Sequence, residues 1–276
     1  MSFVFNHYNR SIIGRLAGVM RVAKHKFEDM IFHARIETHD FGGRPLQVTI
    51  ADRTAAEWYG VDAARPRDFD LLAGRGLGAG GLVFDIGAHQ GVVAMMLANE
   101  VGESGKVVCI EAVARNAEIA RHNAGINRYA NIEVLHAAIA RADAPVLFSQ
   151  KRNGEVAQAA GAGVKSVEGL SIDTLSARYG APGLVYLDVE GYELEALKGA
   201  SKTLASNASW LIETHGDADL GKFGACNADV VAVFDESFDL FWSPDNAETD
   251  FAPLAHGAPV SNRFFLAAIK KVSTAI

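Results

Sequence analysis

Acidic side chains stand at the ends of short apolar segments in three parts of the chain. Asp85 lies inside LVFDIGAHQG, Glu111 ends KVVCIE, and Asp188 and Glu190 follow LVYL. If these apolar segments are parallel strands, their carboxyl ends meet at one edge of a sheet and the four acids gather there. Such an edge repels the pyrophosphate of a dinucleotide and attracts a cation. The residues therefore predict a site for a positively charged ligand.

The segment from Leu82 to Gly91 has the form of a nucleotide-type cofactor loop. A turn with Gly87 and Gly91 lets the backbone approach a ligand closely, and the helix-like segment that follows offers unpaired N–H groups. Glu111 comes 20 residues after Gly91, where an acid can accept hydrogen bonds from both ribose hydroxyls. These features fit NAD as well as other adenosine cofactors. The surplus of acids favours S-adenosylmethionine, which carries a sulfonium and an α-ammonium group.

A second glycine-rich stretch, GRGLGAGG from Gly74 to Gly81, precedes the strand instead of following it. A dinucleotide fingerprint follows a strand and opens a helix, so these glycines are interpreted as a linker.

Three side chains are candidates for proton transfer at the predicted edge. Asp188 is the first candidate because an acid that ends an apolar strand there is poorly explained by helix capping, and His215 and Glu190 come next. For Glu190 and Glu193 the alternative is electrostatic stabilisation of a helix N-terminus, worth about 0.3–1 kcal/mol. Glu213 lies two residues before His215, but two ligands of uncertain direction do not define a metal centre. We expect no metal.

Strand and helix patterns alternate through most of the chain, which is typical of a parallel sheet. The prediction is a doubly wound α/β fold, Rossmann-like and mostly parallel, with one antiparallel strand near the C-terminus. Residues 1–75 form an accessory region and residues 76–276 the main domain. The predicted strands are Leu82 to Ile86, Lys106 to Glu111, Asn131 to His136, Leu184 to Asp188, Trp210 to Thr214, Phe238 to Trp242 and Phe264 to Ile269. One predicted helix begins at Gly91. The other predicted helices span Ala114 to Gly125, Glu193 to Ser206 and Ala228 to Glu236.

The accessory region reads as an extended segment from Arg35 to Ala51 with a Gly42-Gly43 turn, followed by short helices at Thr54 to Gly60 and Arg67 to Ala73. In the first of these helices, Trp58 and Tyr59 either pack in the core or cover a substrate site. Within the main domain, the small residues from Lys151 to Glu168 predict a mobile surface loop.

Composition excludes several classes of protein. A formal net charge of -7 argues against a nucleic-acid partner, and no apolar run approaches the roughly 18 residues of a membrane span. The first 27 residues contain five bases and no acid, with an apolar stripe at helical spacing. This segment predicts an amphipathic helix that packs on the domain or on a second subunit, the alternatives being a membrane-surface helix or a transit peptide. Two distant cysteines, Cys109 and Cys226, indicate a reducing, cytoplasmic compartment.

Several ordered motifs resemble the FkbM-type methyltransferases, S-adenosylmethionine-dependent enzymes with the class I methyltransferase fold. VFDIGAHQG is similar to the family's cofactor loop, IEAVARN to its acid-containing second strand, and LSIDTL, YLDVEGYELEALKGA and WLIETH to its later motifs. The similarity extends from about Trp58 to Lys270. His89 stands where the family more often has Asn, and Tyr186 replaces the usual Lys, which leaves a substrate contact from that position in doubt.

The resemblance implies roles for individual residues. Glu111 holds the ribose, and Ala137 and Ala138 lie near the adenine. The methionine moiety is surrounded by Asp85, Gly87, Ala88, His89 and Gly91.

Together these observations predict methyl transfer from S-adenosylmethionine to a hydroxyl of a small molecule, sugar or glycan. One alternative is an NAD-dependent oxidoreductase, which requires a dinucleotide loop after Ile86. A second alternative is a non-catalytic binding domain that retains the fold. That domain is expected to have lost the acids at the sheet edge, which this chain keeps.

Overall fold

A computed structural model describes residues 32–149, 154–244, 249–258, 260 and 262–271. The basic segment at the N-terminus, for which an amphipathic helix is predicted, lies outside them. The helices are α1 (Arg53–Tyr59), α2 (Arg67–Leu72), α3 (Val92–Val101), α4 (Ala114–Ile126), α5 (Ile172–Tyr179), α6 (Glu193–Lys198), α7 (Ser201–Leu204), α8 (Asp217–Leu220) and α9 (Asn227–Val231). The strands are β1 (Arg35–Asp40), β2 (Pro45–Ile50), β3 (Leu82–Ile86), β4 (Lys106–Glu111), β5 (Ile132–His136), β6 (Ala138–Ile139), β7 (Val146–Ser149), β8 (Glu155–Val156), β9 (Val164–Val167), β10 (Gly169–Leu170), β11 (Leu184–Leu187), β12 (Ser209–Thr214), β13 (Phe238–Ser243), β14 (Ala252–Pro253) and β15 (Phe264–Lys270).

The central sheet has eight strands in the order β14-β13-β15-β12-β11-β3-β4-β5. Strands β12, β11, β3, β4 and β5 pair in parallel, whereas β15 runs antiparallel to both β12 and β13. The predicted doubly wound, mostly parallel α/β fold is confirmed. The short edge strand β14, antiparallel to β13, was not predicted.

Consecutive residues of the central strands enter two hydrophobic cores, one on each face of the sheet. Val83 and Val107 belong to the core that contains α3 and the accessory region, while Phe84 and Val108 belong to the core on the opposite face. Side chains alternate along a strand, and both faces of this sheet are covered, so the strands are apolar throughout. The carboxyl ends of β3, β4 and β11 consequently lie side by side at one edge.

The accessory region contributes a β-hairpin, β1 and β2, which pairs from Arg35↔Ile50 to Asp40↔Pro45. Its β2 strand is held against α4 by asparagine side chains. Asn123 Oδ1 accepts the Thr49 N–H at 2.9 Å, and Asn123 Nδ2 donates to the Gln90 carbonyl at 2.9 Å. Asn127 bonds both the N–H and the carbonyl of Gln47, at 2.9 and 2.7 Å. One helix therefore joins the hairpin to the loop that follows β3.

The prediction of a surface loop between Lys151 and Glu168 is wrong for the part of this segment that the structure describes. Strands β7, β8 and β9 form a separate three-stranded antiparallel sheet in the order β8-β7-β9. The stretch from 157 to 163 that joins β8 and β9 contains mostly small residues, which is why the segment has no apolar periodicity of its own. Ordering comes from backbone pairing with β7, a strand outside the segment.

Two predicted helices are shorter than expected. The segment from Glu193 to Ser206 divides into α6 and α7 at Gly199, where a Cβ would lie 2.5 Å from the carbonyl oxygen of Ala140. The backbone of Ala140 thus lies so close to Gly199 that a side chain would not fit there, and the predicted helix is interrupted at this glycine. The helix predicted to begin at Ala228 ends at Val231. Helix α5, with Ser171 as its N-cap, was not predicted as an element. No helix in the described ranges is long and apolar enough to cross a membrane.

Candidate active site

A cavity that is partly open to solvent, with about 590 Å³ of space inside it, lies at the carboxyl edge of β3, β4 and β11. The residues from the sequence-derived set that line it are Gly87, His89, Glu111, Ala137, Ala138, Asp188 and Glu190. The other predicted residues, Asp85, Ala88, Gly91 and His215, are buried next to these and do not line the cavity. Trp58 from α1, and Phe148, Gly154 and Val156 from the separate three-stranded sheet, also contribute to its wall. Elements from four parts of the chain thus enclose one site.

Tight backbone contacts hold the two loops at this edge together. Gly87 adopts φ 88°, and a Cβ at this position would overlap the backbone carbonyl oxygen of Asp188. His89 and Glu190 adopt positive φ values of 48° and 52°, which are uncommon for residues with a side chain. Such conformations persist only where the surrounding structure enforces them, and they occur most often at functional sites.

Glu111 is anchored by the backbone of both neighbouring turns. Its Oε2 accepts the His89 N–H at 2.8 Å, and its Oε1 accepts the Val113 N–H at 2.7 Å. Burial raises the pKa of Glu111 to about 8, although these two bonds favour the charged form. Each oxygen keeps a second lone pair, so the carboxylate can still accept hydrogen bonds from a ligand.

Asp85 is buried on β3 behind the cofactor loop. Burial, together with the charge of Asp188, raises the pKa of Asp85 to about 7. Its Oδ2 atom is buried and makes no hydrogen bond within the described part of the chain. Several carboxyl groups close together in a poorly hydrated region favour either protons or a cationic ligand.

An aromatic cluster connects the accessory region to the cofactor loop. The Tyr59 hydroxyl lies 2.9 Å from His89 Nδ1, and the Trp58 ring is centred 5.0 Å from the His89 ring. Burial raises the pKa of Tyr59 and lowers the pKa of His89 to about 4. The phenol therefore keeps its proton and the imidazole is neutral, and which of the two donates the hydrogen bond depends on the imidazole tautomer. Trp58 remains 45% exposed while lining the cavity.

His215 follows β12 and is surrounded by three carboxyl groups. Its Nδ1 lies 2.7 Å from Glu193 Oε1, and its Nε2 lies 3.3 Å from Glu190 Oε2 and 3.5 Å from Asp188 Oδ1. The sequence correctly brings Asp188, Glu190 and His215 together at one edge. Glu213, considered as a second metal ligand, instead pairs with Arg263.

These carboxyl groups and the imidazole change one another's protonation. Burial raises the pKa of Asp188 to about 6, while the charge of His215 acts in the opposite direction. Burial alone would lower the pKa of His215, but the hydrogen bond to Glu193 and the nearby carboxylates raise it to about 9.

Glu193 is the site residue whose role the sequence did not reveal. It is fully buried at the start of α6, and its Oε1 also accepts the Gly191 N–H at 3.0 Å. The sequence signal, a glutamate in the first turn of a helix, is equally typical of a helix-end interaction. Tyr186, which replaces the family's usual Lys, is buried in the core beside α3.

The sheet order, with β15 antiparallel between β12 and β13, is that of the class I methyltransferase fold, and an acid-lined cavity lies at its carboxyl edge. The model of the FkbM methyltransferase domain matches residues 85–242, more than half of the chain. The protein belongs to the FkbM methyltransferase family, and its cofactor is S-adenosylmethionine.

Solved structures with a similar fold include several methyltransferases. A precorrin-6y C5,15-methyltransferase from Geobacter metallireducens matches at 14% identity over 74% of this chain and 87% of its own, with a TM-score of 0.44. An O-methyltransferase from Bacillus cereus, in complex with S-adenosylhomocysteine, matches at 14% identity over 73% and 78%, with a TM-score of 0.43. An S-adenosylmethionine-dependent methyltransferase from Aquifex aeolicus matches at 14% identity over 80% and 94%, with a TM-score of 0.43. No curated protein matches the sequence.

The residues of the cavity fit a cationic adenosine cofactor. Glu111 presents a buried carboxylate to the cavity, and the small side chains of Ala137 and Ala138 leave room beside it. The Asp85 oxygen that makes no hydrogen bond to any described residue adds a further buried acceptor. A ligand with a positive charge and several N–H and O–H donors complements this set.

Proposed function

We propose that the protein transfers a methyl group to a hydroxyl oxygen of a small molecule, sugar or glycan. When bound, S-adenosylmethionine supplies a methyl group made electrophilic by its sulfonium. The observation that carries the proposal is the position of Asp188 and Glu190 on the wall of the cofactor cavity, with His215 buried behind them. In support of the proposal, these groups, which can accept or orient a proton, lie at the same cavity as the proposed cofactor residues.

The cofactor contacts in this proposal are those that the resemblance to the FkbM family implies. Glu111 accepts hydrogen bonds from the ribose hydroxyls, and Ala137 and Ala138 lie against the adenine. The methionine moiety is surrounded by Gly87 and His89 on the cavity wall, with Asp85, Ala88 and Gly91 buried behind them. In support, Gly87, His89, Glu111, Ala137 and Ala138 line one continuous cavity.

Methyl transfer to an alcohol needs an aligned acceptor and a place for its proton. Positioning alone can lower the barrier by about 7–11 kcal/mol, and a positioned base contributes roughly 10²–10⁴-fold. Asp188 is proposed to accept or orient the hydroxyl proton. His215 Nε2 lies 3.3 Å from Glu190 Oε2 and 3.5 Å from Asp188 Oδ1. His215 and Glu190 are proposed to share the role of Asp188 by fixing the orientation of its carboxyl group.

The acceptor is proposed to be a small hydroxyl compound and not a nucleic acid. Carboxyl groups on the cavity wall oppose the entry of a phosphodiester. They belong to Glu111, Asp188 and Glu190. A cytoplasmic location is proposed because both cysteines, Cys109 and Cys226, are free.

Two measurements test the function. Calorimetry with S-adenosylmethionine, S-adenosylhomocysteine and NAD is expected to show binding of the two sulfur compounds only. Incubation with alcohol, phenol, sugar, amine and thiol acceptors is then expected to yield methyl ethers and S-adenosylhomocysteine. Methylation of amines or thiols alone would reject the hydroxyl acceptor. Tight cofactor binding without methyl transfer to any acceptor would favour the non-catalytic binding domain, and binding of NAD alone would favour the oxidoreductase.

A further inference from the structure

We propose that Asp188, Glu190 and His215 form a binding site for one divalent transition-metal cation, of the Mn²⁺ or Zn²⁺ type. Each residue offers one ligand atom, and the three atoms lie within 4.8 Å of one another. The sequence alone indicated no metal, because it paired His215 with Glu213 on the same segment of chain. Folding instead brings His215 to the two acids that follow β11.

The imidazole of His215 is prepared for a ligand at Nε2. Its side chain is 3% exposed, and Nε2 makes no hydrogen bond to any residue that the structure describes. A carboxylate only accepts hydrogen bonds, so the 2.7 Å contact with Glu193 places the proton on Nδ1. Metal binding displaces any proton from Nε2, and its lone pair then points toward Asp188 and Glu190. A metal-binding histidine almost always donates its other N–H in this way.

The distances around Nε2 suit two ligands of one ion. Nε2 is 3.3 Å from Glu190 Oε2 and 3.5 Å from Asp188 Oδ1. Adjacent ligands of an ion bound at about 2.0–2.2 Å lie about 3.0–3.4 Å apart in octahedral or tetrahedral geometry. An imidazolium that donated to either carboxylate would show a shorter, aligned contact of about 2.7–2.9 Å. The geometry therefore favours a shared cation.

The charges of the site point the same way. Asp188, Glu190 and Glu193 surround a single imidazole. Arg263 also acts on Asp188, but it is 60% exposed and pairs with Glu213. A bound divalent cation offsets the charges of these carboxylates. One imidazole nitrogen with two carboxylate oxygens favours Mn²⁺ or Zn²⁺ over Ca²⁺.

Three protein ligands leave a coordination position open, as in catalytic metal sites. Asp188 and Glu190 line the cofactor cavity, so the open position faces it. There the cation can bind the acceptor oxygen and lower the pKa of its hydroxyl. This consequence rests on the proposed methyl transfer, whereas binding of the cation does not.

The test is a Mn²⁺ titration of the full-length protein, stripped with EDTA and free of cofactor, with electron paramagnetic resonance reporting free Mn²⁺. Wild type is expected to bind one ion per chain. His215→Gln and Glu190→Gln each remove a ligand and are expected to weaken binding at least about tenfold, and Glu193→Gln about 10–100-fold. The matched control is Glu195→Gln, because Glu195 lies two residues further along α6 and pairs with Arg141 and Lys198. Its affinity for Mn²⁺ is expected to be that of wild type.

The site is rejected if wild type binds neither Mn²⁺ nor Zn²⁺, or if both ligand variants bind with wild-type affinity. Near-ultraviolet circular dichroism checks folding, and Glu190→Gln keeps the test valid if His215→Gln does not fold, since the Glu190 side chain is 33% exposed. Full methyl transfer in EDTA without any Mn²⁺ binding would reject the cation and keep the proposed function. Mn²⁺ binding without methylation of any hydroxyl would reject the proposed function and keep the cation site.

Discussion

The Tyr59 hydroxyl and His89 Nδ1 are 2.9 Å apart, which ties a helix before the main sheet to the loop after its first strand. The same helix places Trp58 on the cavity wall and against the His89 ring. The region preceding β3 thus takes part in shaping the cavity that we propose for the cofactor.

Tyr59→Phe is expected to weaken S-adenosylmethionine binding about twofold to tenfold. It removes one hydrogen bond, with a net value of about 0.5–1.5 kcal/mol, and leaves the neutral His89 ring without that partner. Calorimetric titration measures the change. Tyr129→Phe is the matched control, because the Tyr129 hydroxyl donates to Asn99 at 2.8 Å and neither residue lines the cavity. Equal affinities in the two variants would show that the contact does not support cofactor binding.

Asp188→Asn is expected to retain cofactor binding and to lose about 10²–10⁴-fold in turnover. The amide keeps the shape of the side chain but cannot accept the hydroxyl proton. Turnover is measured as S-adenosylhomocysteine released with a methylated acceptor, and affinity by calorimetry. Asp239→Asn serves as the control, because Asp239 is an exposed acid on β13 that pairs with Lys271. Unchanged turnover in Asp188→Asn would remove Asp188 from the proton-transfer role.

The stability of the protein is expected to depend on pH through Glu111. Burial raises its pKa from 4.5 to about 8, so between these values the folded state binds more protons than the unfolded state. By linkage the free energy of unfolding then falls as pH rises through this window, and the contribution is fully present only below it. Glu111→Gln has no proton to lose. Urea unfolding at several pH values should show a smaller decline for the variant, and identical slopes for both proteins would contradict the assignment.

Gly87→Ala is expected to destabilise the protein by at least about 3 kcal/mol, since the new methyl group adds a clash with the Asp188 carbonyl to the strain of positive φ. Gly43→Ala separates these two effects. Gly43 has a similar φ of 84°, but a Cβ added there would meet nothing within 4 Å, so strain of about 1–2 kcal/mol is the whole cost. Chemical denaturation measures both changes. Similar losses in the two variants would mean that the approach of Gly87 to Asp188 is not tight.

The sequence predicted most of the central sheet because its strands are buried on both faces. Leu82–Ile86 and Lys106–Glu111 agree with the prediction to the residue. Residues that follow the carboxyl ends of such strands gather by topology alone. Asp188, Glu190 and His215 could therefore be placed together without knowledge of any side-chain contact.

Contacts between distant segments were not predictable in the same way. The role of Glu193, on α6, depends on His215, which lies 22 residues away, just after β12. The strands β8 and β9 depend on pairing with β7, and the wall residues Gly154 and Val156 follow from that pairing. A local sequence pattern shows whether a segment forms a helix or a strand, but it does not show which distant segment the element packs against.

The asparagine contacts on β2 bear on how the protein behaves at high concentration. An outer strand normally offers a row of backbone donors and acceptors to which another molecule can add a strand, and this is a common beginning of aggregation. Here the amides of Asn123 and Asn127 occupy the N–H groups of Thr49 and Gln47 and one carbonyl, as a neighbouring strand would. Helix α4, with its C-cap Asn127, therefore covers the β2 edge of the hairpin and protects that edge from intermolecular pairing.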